Sequence, residues 1–149
     1  MRRLARRRFV SLLAGLGAAS MLPARAQSEA YAEALGKLTG GAAVGSGRVT
    51  ITTPRLADNG HSVPFEVSVA SPMTATDYVK TVSILSPRNP RALIATFHLG
   101  AHAGRARIAT RVRLNGTQAV LAVAQLSDGS FWSGTAEVEV TESACLDMS

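Results

Sequence analysis

From Val49 onward, apolar residues fall into short runs rich in Val, Ile and Thr, divided by turn-forming residues. Val63, Phe65, Val67 and Val69 occupy every second position of one run, the period of a strand with one wet face. Similar runs cover Val49–Thr53, Val79–Leu85, Leu93–Leu99, Arg105–Leu114, Thr117–Leu126 and Ser130–Val140. Along Arg105–Leu114, Arg and Thr alternate with Ile, Val and Leu, which again leaves one face in water. Asp58-Asn59-Gly60, Ser71-Pro72, Pro87 with Pro90, and Gly100 with Gly104 interrupt the runs. Asn115-Gly116 and Asp128-Gly129 supply the positive φ angles of two-residue turns and predict tight hairpins. The one helical stretch is Ser28–Leu38, with Ser28 as its cap and Gly40-Gly41 as its stop. The pattern predicts an all-β domain, an immunoglobulin-like antiparallel β-sandwich with a short N-terminal helix; a small barrel is the alternative. Either architecture leaves the chemistry open.

Residues 1–26 have a different composition. Arg6, Arg7, Arg8 and Phe9 precede an uncharged apolar stretch, Val10 to Leu22. As a helix it is too short to cross ~30 Å of hydrocarbon comfortably. Pro23 ends it, and Ala24-Arg25-Ala26 fits a signal-peptidase site that leaves Gln27 as the new N-terminus. The paired arginines point to a twin-arginine signal peptide over residues 1–26 and to a periplasmic product; an ordinary Arg-rich secretion signal is the alternative. This leader also explains the formal charge of +6. It holds six arginines and no acid, while the rest of the chain holds ten basic and ten acidic residues. A body without net charge has no long-range field for phosphate, so nucleic acid is not an expected partner. Nor is a membrane, once the leader is removed. The expected organisation is leader 1–26, sandwich domain 27–140 and mobile tail 141–149.

Candidate chemistry is sparse. A single Cys excludes an internal disulfide framework and an all-Cys metal cluster. His98 and His102 have metal-ligand spacing for a helix, but they flank Gly100 at a strand end, and His61 is remote in sequence. Ser127-Asp128-Gly129-Ser130 is explained by a hairpin turn. No phosphate loop, nucleophile elbow or paired-carboxylate arrangement occurs. The sequence therefore predicts no catalytic residue, cofactor or metal. Phe131 and Trp132 point to opposite faces of their strand; either both are covered, or one sits at an interface. Cys145 lies five residues beyond Val140, in the segment Thr141–Ser149. Five extended residues span at most ~17 Å, so a thiol there suits presentation to another protein's cleft; an incidental Cys is the alternative. Glu142 and Asp147 are acidic neighbours, which disfavours the thiolate.

The strings LADNGHSVPFEVSV (56–69), NPRALIATFHL (89–99), TRVRL (110–114) and QAVLAVAQLSDGSFW (118–132) together resemble the SoxY family, the sulfur-carrier subunits of bacterial thiosulfate oxidation. The resemblance implies a non-catalytic protein that holds sulfur intermediates covalently on a C-terminal Cys, here Cys145. It also implies a small β-sandwich partner, SoxZ-like; a sheet face near Trp132 or the Arg105–Arg113 strand is the expected place for it to dock. Haem, manganese and molybdenum enzymes would load the thiol, remove sulfate and oxidise the remaining sulfur. The family's tail closes with Gly-Gly-Cys-Gly-Gly or a near relative, whereas this chain has Ser143-Ala144-Cys145-Leu146-Asp147. Beside the carrier reading stands that of a non-carrying paralogue that only binds partners.

Overall fold

The computed structural model describes residues 22–143, with side chains from Glu29 onward. Residues 1–21, the greater part of the leader expected over 1–26, and residues 144–149, Cys145 among them, lie outside the described residues.

The helix α1 spans Leu22–Thr39 and so begins before Ser28. Pro23 sits in its first turn, where a missing N–H breaks no helical bond. Tyr31, Ala34, Leu35 and Leu38 recur at helical spacing and pack on a sheet against Leu85, Val123 and Phe131. The helix stops where Gly40 and Gly41 take φ of 61° and 80°, a left-handed pair that a side chain would strain.

Nine strands follow: β1 (Val44–Ser46), β2 (Val49–Thr52), β3 (Leu56–Asn59), β4 (Val63–Val69), β5 (Val79–Leu85), β6 (Leu93–His98), β7 (Arg107–Val112), β8 (Gln118–Leu126) and β9 (Phe131–Glu142). They form two sheets, one ordered β1-β9-β8-β5-β6 with β3 also on β9, the other β2-β4-β7. This is the expected all-β sandwich. The core lies between the sheets: Val63, Phe65 and Val67 of β4 face Val82, Ile84, Val120 and Ala122, all at most 1% exposed. Burial of each such Val or Ile is worth about 1.5–3 kcal/mol over exposure, which fixes the register of the alternating strands.

Two short strands escape the sequence pattern. β1 and β3 both run parallel to β9, pairing at Val44↔Phe131 and Leu56↔Glu139. Between them the chain crosses over β9 as β2 and joins the other sheet. The crossing needs Gly134, where a Cβ would stand 2.5 Å from the Val49 carbonyl oxygen. Asp58 and Asn59, read as a turn from sequence, therefore belong to a strand.

The two hairpin signals have different outcomes. Asp128-Gly129 does join adjacent antiparallel strands, with Gln125 paired to Phe131. Its loop is three residues, Ser127–Gly129, closed by the Gly129 N–H on the Leu126 carbonyl (3.0 Å), with Gly129 at φ 86°. Asn115-Gly116 is not a hairpin. β7 pairs with β4 and β8 with β5 and β9, so this dipeptide carries the chain from one sheet to the other. Gly116 still has φ of 81°. The dipeptide fixed the local bend, and the hydrophobic faces on either side decided the partners.

Candidate functional site: the end of the sandwich that leads to Cys145

β9 runs two residues beyond Val140, to Glu142, and Ser143 follows before the description ends. The root of the segment carrying Cys145 is thus part of the sandwich, and three neighbours, Gly60, Thr117 and Asn115, bond it directly. The Gly60 N–H donates to the Glu142 carbonyl (2.7 Å), and the Leu114 N–H to the Gly60 carbonyl (2.8 Å). The Val140 N–H donates to Thr117 Oγ1 (2.9 Å). The Ser143 hydroxyl bonds Asn115 Oδ1. Parallel pairing with β3 completes the hold, with Asn59 opposite Glu142.

Behind this root lies a network of neutral amides and hydroxyls. Gln118 is 7% exposed and occupies the same phase of β8 as Val120, Ala122 and Ala124, which carries its side chain inward. Its Oε1 accepts from the Ser86 hydroxyl and from the Arg88 N–H (3.2 Å). Its Nε2 donates to the Gly116 carbonyl (3.3 Å) and to Asn89 Oδ1 (3.4 Å). Asn89 Oδ1 also accepts from the Asn115 N–H (2.9 Å), while Asn89 Nδ2 donates to the Arg113 carbonyl (2.7 Å). Arg88 adds a bond from Nη1 to the Thr117 carbonyl (2.8 Å). Every buried side-chain polar atom among the described residues is satisfied. Loops from both sheets are thereby tied to one another and to the end of β9.

The expected reach of the thiol changes accordingly. Counted from Val140 it was ~17 Å; counted from the held Ser143, two residues span at most ~7 Å. Chain length alone therefore sets a shorter upper bound on the distance of Cys145 from the sandwich than the sequence pattern did.

The other candidates resolve as structural groups or as exposed side chains. His98 ends β6 and His102 lies in a 3₁₀ turn, Ala101–Ala103; both are exposed, as is His61. Among the described residues, no three His, Cys, Asp or Glu lie together as a metal centre requires. In the β8–β9 hairpin, Asp128 Oδ1 accepts from the Ser130 hydroxyl (2.6 Å) and N–H (2.8 Å). These two bonds, the hydroxyl's first, hold the carboxyl below its ordinary range, with Arg48 adding a smaller attraction. Phe131 lies under α1, while Trp132 packs against the inter-sheet core. The Trp132 ring is further covered by Gly45 and by Arg48, 4.7 Å from its centroid, and its Nε1 donates to Ser130 Oγ (3.1 Å). Phe131 is buried, whereas Trp132 is half-buried, packed against the core on one side and partly open on the other.

Sequence reasoning missed Ser86, Asn89, Asn115 and Gln118. One signal was available: Gln118 interrupts an apolar phase that runs through Val120, Ala122 and Ala124.

Each string that carries the family resemblance has at least one residue at this end: Asn59 and Gly60, Asn89, Arg113 and Leu114, and Gln118. The sequence matches the profile of sulfur oxidation protein SoxY over residues 35–145. No match is found among curated proteins. Among solved structures, the sulfur carrier protein SoxY from Chlorobium limicola f thiosulfatophilum is similar, with TM-score 0.61 and 23% identity over 76% of this chain and 97% of that one. A superoxide reductase (neelaredoxin) from Ignicoccus hospitalis has TM-score 0.56 and 15% identity over 62% and 79%. The superoxide reductase from Nanoarchaeum equitans has TM-score 0.55 and 12% identity over 64% and 100%. At such identities these likenesses establish the sandwich fold alone. The match of the profile over most of the chain, ending on Cys145, identifies the family: this protein belongs to the SoxY family of sulfur oxidation proteins.

Proposed function

We propose that the protein is a sulfur carrier without catalytic activity of its own, exported by its twin-arginine leader to the periplasm. There it holds thiosulfate-derived sulfur on Cys145. The single observation that carries this reading is that the family match extends through Cys145, the only thiol of the chain. The rigid end of β9 supports it, because a carrier thiol needs a defined mount from which a partner enzyme can receive it. Loading is an oxidation. The Cys145 sulfur bonds the outer sulfur of thiosulfate, the thiol proton is released, and two electrons pass to a haem partner. Manganese and molybdenum enzymes would then hydrolyse off sulfate and oxidise the remaining sulfur. A SoxZ-like subunit would accompany the chain. With the root at Ser143, these enzymes must approach the sandwich end itself.

Intact-mass spectrometry after incubation with thiosulfate and the sulfur-oxidation enzymes tests the reading. A thiosulfonate adduct that disappears in Cys145→Ser is the expected result. An unmodified Cys145, where a Gly-Gly-Cys tail is fully loaded, would make the chain a non-carrying partner-binding subunit. Two observations favour that second reading: the flanking residues are Ala144 and Leu146 rather than glycines, and Ser143 is tied to Asn115. Gly at positions 143, 144 and 146 then restores loading if the stiff flank is the obstacle.

A further inference from the structure

Among the described residues, the outer edge of β6 is the one strand edge of the sandwich without protection. β1 is three residues long, β3 is four and contains Asp58, and β2 is also four. β7 carries Arg107 and Arg111. Short or charged edges of this kind resist pairing with another chain. β6 is six residues, LIATFH, with no Pro, Lys, Arg, Asp or Glu. A register shift at Ile84/Leu85 disturbs only its first residues. The Leu99 N–H donates to the Lys80 carbonyl of β5, which sets the alternation: Ala95 and Phe97 turn their main-chain groups to β5, Thr96 and His98 turn theirs outward. Leu93, 44% exposed, stands at the start of the strand. It lines an open groove of about 440 Å³ with Ala30, Glu33, Ala34, Lys37 and Leu38 of α1.

The charge around this edge selects the occupant. From Tyr78 to Ser127 the chain has no Asp or Glu and seven Lys or Arg. Arg91 stands at one end of β6; Lys80, His98, His102 and Arg105 stand at the other. Among the described residues, none of these is ion-paired. Antiparallel pairing with β6 of a second copy would set Arg91 beside the partner's basic end, an unfavourable arrangement. A strand with acidic ends meets favourable charge at both.

We propose that β6 is the docking edge for a partner protein, which adds an extended strand with alternating apolar side chains and acidic ends. One apolar side chain would enter the groove beside Leu93. Main-chain bonds to Thr96 and His98 would give affinity, and Arg91 and Lys80 would set the register. This inference rests on the reading above that the chain works with a partner subunit.

The exported chain with a co-expressed SoxZ-like subunit as probe gives the test, by amide hydrogen exchange and titration. The Thr96 and His98 amides should slow by at least about tenfold in the complex. Thr96→Pro removes an outward N–H together with the hydroxyl bonded to the buried Ser83 (2.9 Å), so Thr96→Val, which loses the hydroxyl alone, is its control. Pro should weaken binding about tenfold relative to Val, while Arg91→Glu with Lys80→Glu should weaken it and flatten its salt dependence. Where Thr96→Pro misfolds, exchange of the wild-type complex still decides. A complex with β6 unprotected, or one that binds Thr96→Pro as tightly as Thr96→Val, overturns the docking edge and leaves the partner reading intact. Self-association through β6 in the isolated chain also overturns it. Absence of any complex overturns the partner reading and this inference with it.

Discussion

The two ends of the sandwich are closed in different ways. At the β8–β9 hairpin end, short-range side-chain bonds (Asp128 to Ser130, Trp132 to Ser130, Thr74 to Asp77) stand beside two long-range ones, both through Ser127, from the Tyr78 N–H and to the Thr76 carbonyl. At the end leading to Cys145, five bonds of Gln118 and Asn89 bridge residues 24 to 32 apart, between loops of both sheets, beside two short-range ones to Gly116 and Ser86. The hairpin end also uses a charge, Asp128, and an aromatic, Trp132. The bonds behind the Cys145 root are made chiefly by neutral Ser, Asn and Gln side chains and main-chain groups. The hairpin end gathers its long-range ties on one residue, Ser127. The network behind β9 spreads them over Gln118 and Asn89 and holds one strand end in place, the one that precedes Cys145, the residue proposed to carry sulfur. On the carrier reading proposed above, this end is held so that the thiol is offered from a fixed base.

Gln118→Leu should break this comparison most severely. Leu fits the volume but leaves the Ser86 hydroxyl, the Arg88 N–H and the Asn89 amide without a shared partner. Such a loss of buried partners costs about 3 kcal/mol, read as a lower denaturation midpoint at unchanged slope. Combined with Asn89→Ala the effects should be strongly non-additive; combined with Ser127→Ala, at the far end, they should add within about 0.5 kcal/mol. Additivity between Gln118 and Asn89 would show that the network is not a unit.

Asn115→Ala sharpens the same contrast at lower cost. It removes the acceptor for Ser143 and the bond from Asn115 Nδ2 to the Arg88 carbonyl. A stability loss of about 1 kcal/mol is expected. The larger change should be local: amides from Glu139 to Ser143 should exchange faster, while those of the β8–β9 hairpin stay as they were. If sulfur loading of Cys145 rises in this variant, the tie at Ser143 restrains the thiol; if it falls, the tie presents it.

The same division explains what the sequence revealed. β4 was legible because its burial alternates without exception, and the Asp128-Gly129 bend because its partners are neighbours. Asn115-Gly116 carries an equally strong local signal, yet its strands separate, since β7 finds its apolar counterpart on β4 and β8 finds its own on β5 and β9. β1 and β3 were invisible for a related reason. Three or four residues hold no period, and both strands exist only because β9 offers them an edge. Cys145 was legible as the lone thiol, but the strength of its mount was not. Asn89, Asn115 and Gln118 reveal a role only once the fold brings their loops together; Gln118 alone, polar on an apolar phase, was readable in advance.

The smallest effect expected is one of pH, and it distinguishes the two ends directly. Asp128 is held below its ordinary value, first by the Ser130 hydroxyl and then by the Ser130 N–H. A carboxyl whose value is lower in the folded state stabilises that state above its unfolded value, and the contribution fades as pH falls through the folded value. Acid should therefore loosen the hairpin end, while the Gln118–Asn89 network, which contains no carboxylate, holds. Trp132 is the chain's only Trp and bonds Ser130, so its fluorescence reports this end alone. Its acid transition should lie below the usual carboxylate range and disappear in Asp128→Asn. The Glu66–Arg107 pair, which also holds its carboxyl low, sits on the three-stranded sheet and should still titrate in that variant. Exchange of the Glu139–Ser143 amides, corrected for the intrinsic effect of pH, should not follow the Trp132 transition. If both ends loosen together, they share one cooperative unit, and the fixed base proposed for Cys145 has no independence from the rest of the fold.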